Sequence, residues 1–289
     1  MKRTKVVAEI GQNHQGRMEI AKEMILTAKA CKADAVKFQK RTISVLAAER
    51  PNIYQNPHPN PWNAFGPTYE KHREALEFSI AQHRELKEYC ETYGIEYSCS
   101  VWDLQAAIEI ALLNPAWIKI PSASNLCLDM YDWLADNFAG NFHISLGMTT
   151  EKEEYDIVDY LKKKGLWSRV VLYHCTSGYP VDFKDVCLKN IEHLVGYGVP
   201  VGYSGHHLGI AIDIAAVTLG ASWIERHFTL DRTWKGTDHA ASLEPDGLMK
   251  LTRNIRALEA SMKERPSGLL PVEEPQRDKL KRGVSCQIK

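Results

Sequence analysis

The feature that most constrains this chain is a regular alternation of short apolar runs with helix-like stretches. Eight runs are rich in β-branched and aromatic residues, and each is too short for a buried helix, which is typical of β-strands. The predicted strands are Lys5–Ile10, Ala35–Gln39, Ile95–Val101, Trp117–Ser122, Phe142–Gly147, Val170–Ser177, Pro200–His206 and Trp223–Thr229. Between and after them, apolar residues recur every three or four positions, as in amphipathic helices. The predicted helices are Met18–Ala30, Thr68–Tyr93, Asp103–Leu113, Leu126–Asn137, Lys152–Lys164, Asp185–Tyr197, Ile210–Leu219 and Pro245–Glu264.

Strict alternation of strands and helices predicts parallel βαβ units. The length of 289 residues fits either two ordinary domains or one large barrel, and eight units favour the barrel. An open doubly wound sheet is the alternative, but Gly11–Gly16 lacks the G-x-G-x-x-G spacing of a dinucleotide-binding turn. We therefore predict the α/β class and a (β/α)8 TIM barrel over residues 1–265, followed by a linker or tail over 266–289.

Composition excludes several other classes of protein. The 36 basic and 36 acidic side chains give no net charge, and there is no Lys/Arg block of the kind that binds nucleic acid. No apolar run approaches the roughly 18 residues of a membrane span, and Glu9 interrupts the start too early for a signal peptide. The seven cysteines are odd in number and form no C-x-x-C pair, which favours reduced thiols in a cytoplasmic protein.

One segment, Lys40–Pro67, is too long for an ordinary connection between a strand and a helix. It holds five of the thirteen prolines. Long structured loops on this side of a barrel are commonly lids or binding loops, and we expect one here.

Polar residues collect at the ends of the predicted strands, where barrel enzymes place their chemistry. A strand buried on both faces should be almost entirely apolar, and a single serine could simply form a hydrogen bond inside the barrel. Polar groups at all eight ends together predict an active site. The residues concerned are Glu9, Lys37, Gln39, Ser98, Ser100, Lys119, Ser122, Ser145, His174, Thr176, Ser177, Ser204, His206, Glu225 and His227.

Lys37 and Lys119 lie inside predicted strands. A buried lysine is costly unless it meets an anion, and the few acids at strand ends do not obviously satisfy both lysines. A small phosphorylated, carboxylated ligand would suit these two cations and their neighbouring hydroxyls. Schiff-base catalysis by either lysine is the alternative.

His206 and His227 end consecutive predicted strands. Neighbouring strands lie about 4.8 Å apart, so both imidazoles could reach one ion. A lone histidine at a strand end is more often a core residue than a ligand, but a pair on adjacent strands favours manganese, iron or zinc. His14 and His207 are weaker candidates because they lie one step out in the loops.

Seven short strings, in order over roughly residues 5 to 265, resemble the barrel domain of one enzyme family. This is the N-acetylneuraminate (sialic acid) synthase family, which includes the legionaminic and pseudaminic acid synthases. The strings are Ala8–His14, Ala33–Gln39, Lys119–Ser122, His174–Pro180, Val201–His206, Ile224–Thr229 and Gly236–Pro245.

The resemblance implies a transferase of carbohydrate biosynthesis, serving cell-surface polysaccharide. It would condense phosphoenolpyruvate with an open-chain aldose, N-acetylmannosamine-like or related, to give a sialic-acid-type α-keto acid and phosphate. A Schiff-base aldolase and a non-catalytic sugar-binding barrel remain the alternatives. The small molecules are the expected partners, with no nucleic acid and no membrane.

The resemblance also implies roles by matching position. His206 and His227 would hold a divalent metal, Mn²⁺ in preference to Mg²⁺ or Co²⁺. Glu9 would lie near the metal and the proton transfers, and Tyr179, Glu225 and Asp238 would contact the sugar. The phosphoenolpyruvate pocket would be lined by Lys37, Ser100, Lys119, Ser122, Ser145, Ser177 and Ser204.

The sequence also departs from the family pattern. Pro121 and Ser124 stand where bacterial sialic acid synthases tend to have glycine and glutamate, and Gly205 and His207 replace the more usual Asp and Thr. The family normally continues into a C-terminal antifreeze-like domain that supplies an arginine to the partner subunit's sugar site. We expect either a truncated chain or a barrel-only relative whose sugar is bound differently, and any homodimer would need barrel surfaces.

Overall fold

The computed structural model describes residues 3–282, in which eight parallel strands close into a barrel in sequence order. Each strand pairs with its neighbour along the chain, and the last strand pairs with the first. The strands are β1 (Lys5–Gly11), β2 (Ala35–Lys40), β3 (Glu96–Val101), β4 (Trp117–Ile120), β5 (Asn141–Ser145), β6 (Val170–Cys175), β7 (Val201–Gly205) and β8 (Ala221–His227). The predicted (β/α)8 barrel is confirmed.

Helices cover the outside of the barrel. They are α1 (Met18–Ala30), α2 (Ile43–Glu49), α3 (Pro51–Tyr54), α4 (Tyr69–Leu76), α5 (Ile80–Tyr93), α6 (Leu104–Ala111), α7 (Leu128–Asn137), α8 (Glu151–Lys163), α9 (Asn190–Val195), α10 (Ala211–Thr218), α11 (Pro245–Ser261) and α12 (Glu274–Leu280). Short 3₁₀ turns occur at Pro61–Asn63, Ser122–Ser124, Trp167–Arg169, Phe183–Asp185, His239–Ala241 and Pro271–Glu273. Among residues 3–282, no helix is both long and apolar enough to cross a membrane.

Two predicted helices differ from those observed. The single helix expected over Thr68–Tyr93 is two helices, α4 and α5, because Ser79 starts a new helix. Its hydroxyl accepts from the Gln82 backbone N–H at 3.3 Å, and the Gln82 side chain accepts in return from the Ser79 N–H at 2.9 Å. The helix expected over Asp185–Tyr197 is reduced to α9, preceded by a 3₁₀ turn. The proline-rich segment Lys40–Pro67 contains α2, α3 and a 3₁₀ turn and is therefore not a wholly irregular loop.

Several predicted strands run too far toward their C-terminal ends. Strand β4 stops at Ile120, since Pro121 has no N–H to continue the ladder and a 3₁₀ turn begins at Ser122. Strand β6 likewise ends at Cys175, which places Ser177 in the following loop. These serines therefore lie above the strands, at the rim of the barrel.

The C-terminal segment was expected to be a linker over residues 266–289. Within the described residues it forms a 3₁₀ turn and the short helix α12, with mostly exposed side chains. Residues 283–289, including Cys286, lie outside the described residues. The other six cysteines are free thiols.

An aromatic floor, formed by Trp117, His143, Tyr173 and Trp223, fills the N-terminal end of the barrel interior. The Trp117 and His143 rings stack with centroids 4.1 Å apart, and Trp223 meets His143 edge-on at 4.5 Å. The Tyr173 hydroxyl lies 3.0 Å from His143 Nδ1. Because this floor is packed, the space inside the barrel opens only at its C-terminal end.

The floor depends on a glycine. A Cβ at Gly202 would lie 2.4 Å from Cε1 of Tyr173, so only glycine leaves room for that ring.

We expect Gly202→Ala to lower the free energy of unfolding by about 1–3 kcal/mol, because the alanine methyl displaces Tyr173 from the floor. Gly247→Ala in α11 is the matched control, since its Cβ would have only ordinary contacts of 3.4 Å or more, with Leu243. Urea unfolding of both variants measures the difference. A loss in Gly202→Ala no larger than in Gly247→Ala would contradict this account of the floor.

Candidate active site

A cavity of about 430 Å³ opens at the C-terminal ends of the strands. Twelve of the thirteen residues predicted to form the site line it, and Asp238 lies beside it. The lining residues are Glu9, Lys37, Gln39, Arg50, Ser100, Trp102, Lys119, Pro121, Ser122, Ala123, Ser145, Met148, Cys175, Ser177, Tyr179, Ser204, His206, Glu225 and His227. The fold thus brings most of the polar strand-end side chains together. Three of them lie outside the cavity and instead contact backbone carbonyl groups, namely those of Trp117, Val186 and Asp185; these residues are Ser98, His174 and Thr176.

Four buried ionisable side chains form the centre of the cavity. Lys37 Nζ lies 2.5 Å from Glu9 Oε2 and 3.7 Å from Glu225 Oε1, while Lys119 Nζ lies 3.2 Å from Glu225 Oε2. Ser204 Oγ donates to Glu225 Oε1 at 3.0 Å. The expectation that strand-end acids could not satisfy both lysines is therefore wrong, because β1 and β8 each supply a glutamate.

Burial and mutual charge give these four groups different proton affinities. Burial raises the pKa of Glu9 to about 7 even though Lys37 opposes the change. Burial also acts on Glu225, but Lys119 and Lys37 outweigh it and lower the pKa of that carboxyl to about 2. Burial lowers the pKa of Lys119 to about 8. Glu225 is thus held as a carboxylate, and Glu9 is the carboxyl able to hold a proton near neutral pH.

Serine hydroxyls surround the lysines. Ser100 Oγ accepts from Lys37 Nζ at 2.5 Å. Ser122 Oγ accepts from the Gly147 N–H at 3.0 Å. A Cβ at Gly147 would lie 2.7 Å from the hydroxyl oxygens of both Ser122 and Ser177, so glycine here allows two loops to bring their hydroxyls together. The result is a cluster of donors around two cations.

His206 and His227 lie side by side at the mouth, with ring centroids 5.6 Å apart. His206 Nδ1 lies 2.9 Å from the Thr176 carbonyl oxygen, which can only accept, so this nitrogen carries the proton and Nε2 keeps a free lone pair. His227 Nδ1 is buried with no hydrogen-bond partner and lies 3.9 Å from Asp238 Oδ2.

These two imidazoles fit a metal ion that takes only two ligands from the protein. Within residues 3–282 there is no ready group of three or more His, Cys, Asp or Glu side chains that could hold an ion. Water or substrate oxygens would have to complete the coordination, which suits a site open to a ligand. The Tyr179 ring packs 4.3 Å from His206 and borders the same place.

The two weaker histidine candidates lie outside this cavity, and both are buried against other side chains. His14 stacks on Phe78 at 4.0 Å. His207 is fully buried beside Arg226 and Asp213. A Cβ at Gly205 would lie 2.9 Å from His207 Cε1, so the His207 ring takes up the space into which a longer residue 205 would project. The two departures from the family pattern are therefore linked, because the glycine at position 205 leaves room for the histidine ring at position 207.

Gln39, which the strand-end pattern includes, lines the cavity, and its Nε2 donates to Glu9 Oε1 at 2.8 Å. Sequence reasoning missed two other lining residues. Arg50 reaches the cavity from the segment Lys40–Pro67, whose unusual length was the only hint. Trp102, just after β3, carried no signal in the sequence.

Comparisons with known proteins identify the family of this chain. A family model described as the NeuB family matches residues 24–266. The chain is 40% identical to human N-acetylneuraminate-9-phosphate synthase over 293 residues, covering 98% of this chain and 78% of that protein. It is 35% identical to the N,N'-diacetyllegionaminic acid synthase of Legionella pneumophila, covering 88% and 72%.

A solved structure is also similar over nearly its whole length. It is the N-acetylneuraminic acid (sialic acid) synthetase of Leptospira borgpetersenii, with a TM-score of 0.80 and 29% identity, covering 97% of this chain and 93% of that one. Nothing in these comparisons supports the Schiff-base aldolase or the non-catalytic barrel. The chain therefore belongs to the NeuB family, among the synthases of sialic-acid-type sugars.

Proposed function

We propose that this protein condenses phosphoenolpyruvate with an open-chain, N-acetylmannosamine-like aldehyde to give a sialic-acid-type α-keto acid and phosphate. The observation that carries the proposal is the single cavity in which two lysines, each paired with a glutamate, lie next to two adjacent histidines. The end of the cavity that holds the lysines suits a small anion, and the end that holds the histidines suits the oxygen of an aldehyde.

The lysine end would hold phosphoenolpyruvate. Lys37 and Lys119 supply two cations for its carboxylate and phosphate. Glu225, which the family resemblance assigned to the sugar, pairs with both lysines in the structure and would instead hold them in place. Around them are hydroxyls that can donate to phosphate oxygens. They belong to Ser100, Ser122, Ser145, Ser177 and Ser204.

The histidine end would hold the aldehyde. A divalent metal held by His206 and His227, manganese by preference, would act as a Lewis acid that polarises the aldehyde oxygen. Tyr179 packs against His206 and can cover one side of the sugar, while Asp238 lies beside His227 and can accept from sugar hydroxyls.

The bonds change in two stages. Carbon 3 of phosphoenolpyruvate attacks the aldehyde carbon, so that a C–C bond forms and the aldehyde oxygen takes the C=O electron pair and then a proton. The cationic carbon 2 is stabilised by the Glu225 carboxylate, and water adds to it while losing a proton to Glu9. The bond between carbon 2 and the phosphate oxygen then breaks while the new hydroxyl on carbon 2 gives its proton to the departing phosphate, leaving a ketone and inorganic phosphate.

The reaction is tested by phosphate release from phosphoenolpyruvate across two-acetamido sugars, diacetamido sugars, plain hexoses, pentoses and their phosphates. We expect release with N-acetylmannosamine-like aldehydes, its loss on chelation, and its recovery with manganese. Turnover that survives chelation, combined with borohydride trapping of a keto substrate on Lys37 or Lys119, would instead indicate a Schiff-base aldolase.

The metal ligands are tested without relying on turnover. Titration of Mn²⁺ by electron paramagnetic resonance should show at least about tenfold weaker binding in His206→Ala and in His227→Ala, because each removes one of two protein ligands. His193→Ala, a half-exposed histidine in α9, is the control and should bind Mn²⁺ as the wild type does. Wild-type affinity in both site variants would contradict the assignment.

Lys119 is expected to act on phosphoenolpyruvate rather than on the sugar. Lys119→Ala should raise the KM for phosphoenolpyruvate by about 10- to 100-fold, because a charge-assisted contact is lost, while the KM for the aldehyde changes much less. Lys152→Ala on the exposed face of α8 is the control. An equal loss of affinity for both substrates would exclude the proposed role.

A further inference from the structure

Gln39 lies near the C-terminal end of β2, and contacts on both sides fix the orientation of its side-chain amide. Arg41 Nη2 donates to Gln39 Oε1 at 2.6 Å, and Gln39 Nε2 donates to Glu9 Oε1 at 2.8 Å. A guanidinium group can only donate hydrogen bonds. The amide oxygen must therefore face Arg41, which leaves the NH₂ group to face Glu9.

Arg41 is itself held by contacts that do not involve Gln39. Its side chain is buried, and the guanidinium stacks 3.8 Å over the Trp102 ring. Its backbone N–H donates to Glu77 Oε1 at 2.8 Å, and its carbonyl oxygen accepts from Lys40 Nζ at 3.0 Å. Arg41 therefore presents Nη2 to the amide from a fixed place before any ligand binds.

The Glu9 carboxyl is the inner end of this chain of contacts. Gln39 binds its Oε1, while Lys37 Nζ lies 2.5 Å from its Oε2. Gly11, with a φ of +56°, allows the amide and the carboxyl to meet, because a Cβ there would lie 3.1 Å from Gln39 Nε2 and 3.2 Å from Glu9 Oε1. The carboxyl is thus held at both oxygens, and misplacing a reacting group by about 1 Å can cost about 100-fold in rate.

We propose that Arg41 is a positioning residue, which acts through Gln39 to hold the Glu9 carboxyl against the water that adds to carbon 2. This inference rests on the proposed function, in which Glu9 takes a proton from that water. Without Arg41 the amide can turn its oxygen toward Glu9, and the two acceptors then repel each other. The chemical step is the one that suffers, so kcat falls while both substrates still bind.

A direct effect of the Arg41 charge on Asp238 is the rival explanation. Burial opposes the ionisation of Asp238, but the charges of three neighbours outweigh it and lower the pKa of that carboxyl; they are His227, Arg73 and Arg41. Because Asp238 is assigned to the sugar, losing this charge would act on the KM for the aldehyde. The effect would also be the same with or without the Gln39 amide.

A double-mutant cycle separates the two explanations. Arg41→Met should lower kcat by about 10- to 100-fold and change the KM for either substrate by less than about threefold. Gln39→Met should lower kcat to a similar extent, and adding Arg41→Met to it should cost less than about a further twofold. Arg253→Met, an exposed arginine in α11, is the matched control and should keep the wild-type kcat. Losses that multiply in the double variant, or a change confined to the KM for the aldehyde, overturn the proposal.

Arg41→Lys provides a second variant at the same position. It keeps one donor but loses the planar fork, so its kcat should fall by less than that of Arg41→Met. A melting curve checks that each variant folds, and Arg41→Lys takes the place of Arg41→Met in the cycle if the methionine variant is unfolded. A lysine variant as impaired as the methionine variant, with both folded, would show that donation to Gln39 is not what matters.

A nuclear magnetic resonance readout does not depend on turnover. The side-chain N–H signals of Gln39 are identified by their loss in Gln39→Met. They should move in Arg41→Met and stay in place in Arg253→Met, because only the former loses the donor to Oε1. If the wild type turns over no sugar, the proposed function fails, and this movement still supports the positioning of the amide. Signals that do not move in Arg41→Met overturn it.

Discussion

The pairing of Glu225 with both Lys37 and Lys119 is the interaction on which the site depends. The two lysines come from β2 and β4, and Glu225 comes from β8, so closure of the barrel is what brings them within 3.7 Å of one carboxylate. Ionised groups buried without partners would oppose folding by several kcal/mol each. The same pairing holds the ammonium groups in place before any ligand arrives. Stability and readiness for an anion therefore come from one set of contacts.

The fold could be predicted because the sequence pattern that specifies it repeats along the chain and can be recognised in short segments. Eight runs of strand-forming residues, separated by helical spacing, allow few architectures, and the barrel follows from their number. The site was predictable for a related reason. In a parallel barrel the ends of all strands meet at one face, so polar residues such as Lys119 and His227 must lie near each other whatever the details of the loops.

What could not be predicted depends on contacts between residues far apart in sequence. Nothing near Lys119 in the chain shows that Glu225, 106 positions away, will pair with it. The extent of β4 was overestimated because a polar Ser122 reads equally well as a strand end or as the first residue of a loop. Sequence reasoning made no prediction for Arg41, and only the folded structure shows that its guanidinium is buried over the Trp102 ring.

The aromatic floor also determines the order of events at the mouth. Lys119 Nζ lies 3.1 Å from the centroid of the Tyr173 ring, so the lysine end rests on the floor, while His227 lies two residues further along β8 than Glu225. A cavity closed below has a single entrance, and a ligand at the histidine end covers the lysine end beneath it. In the proposed reaction, the ligand at the lysines would therefore enter before the aldehyde, and phosphate left at the lysines would leave only after the mouth had cleared.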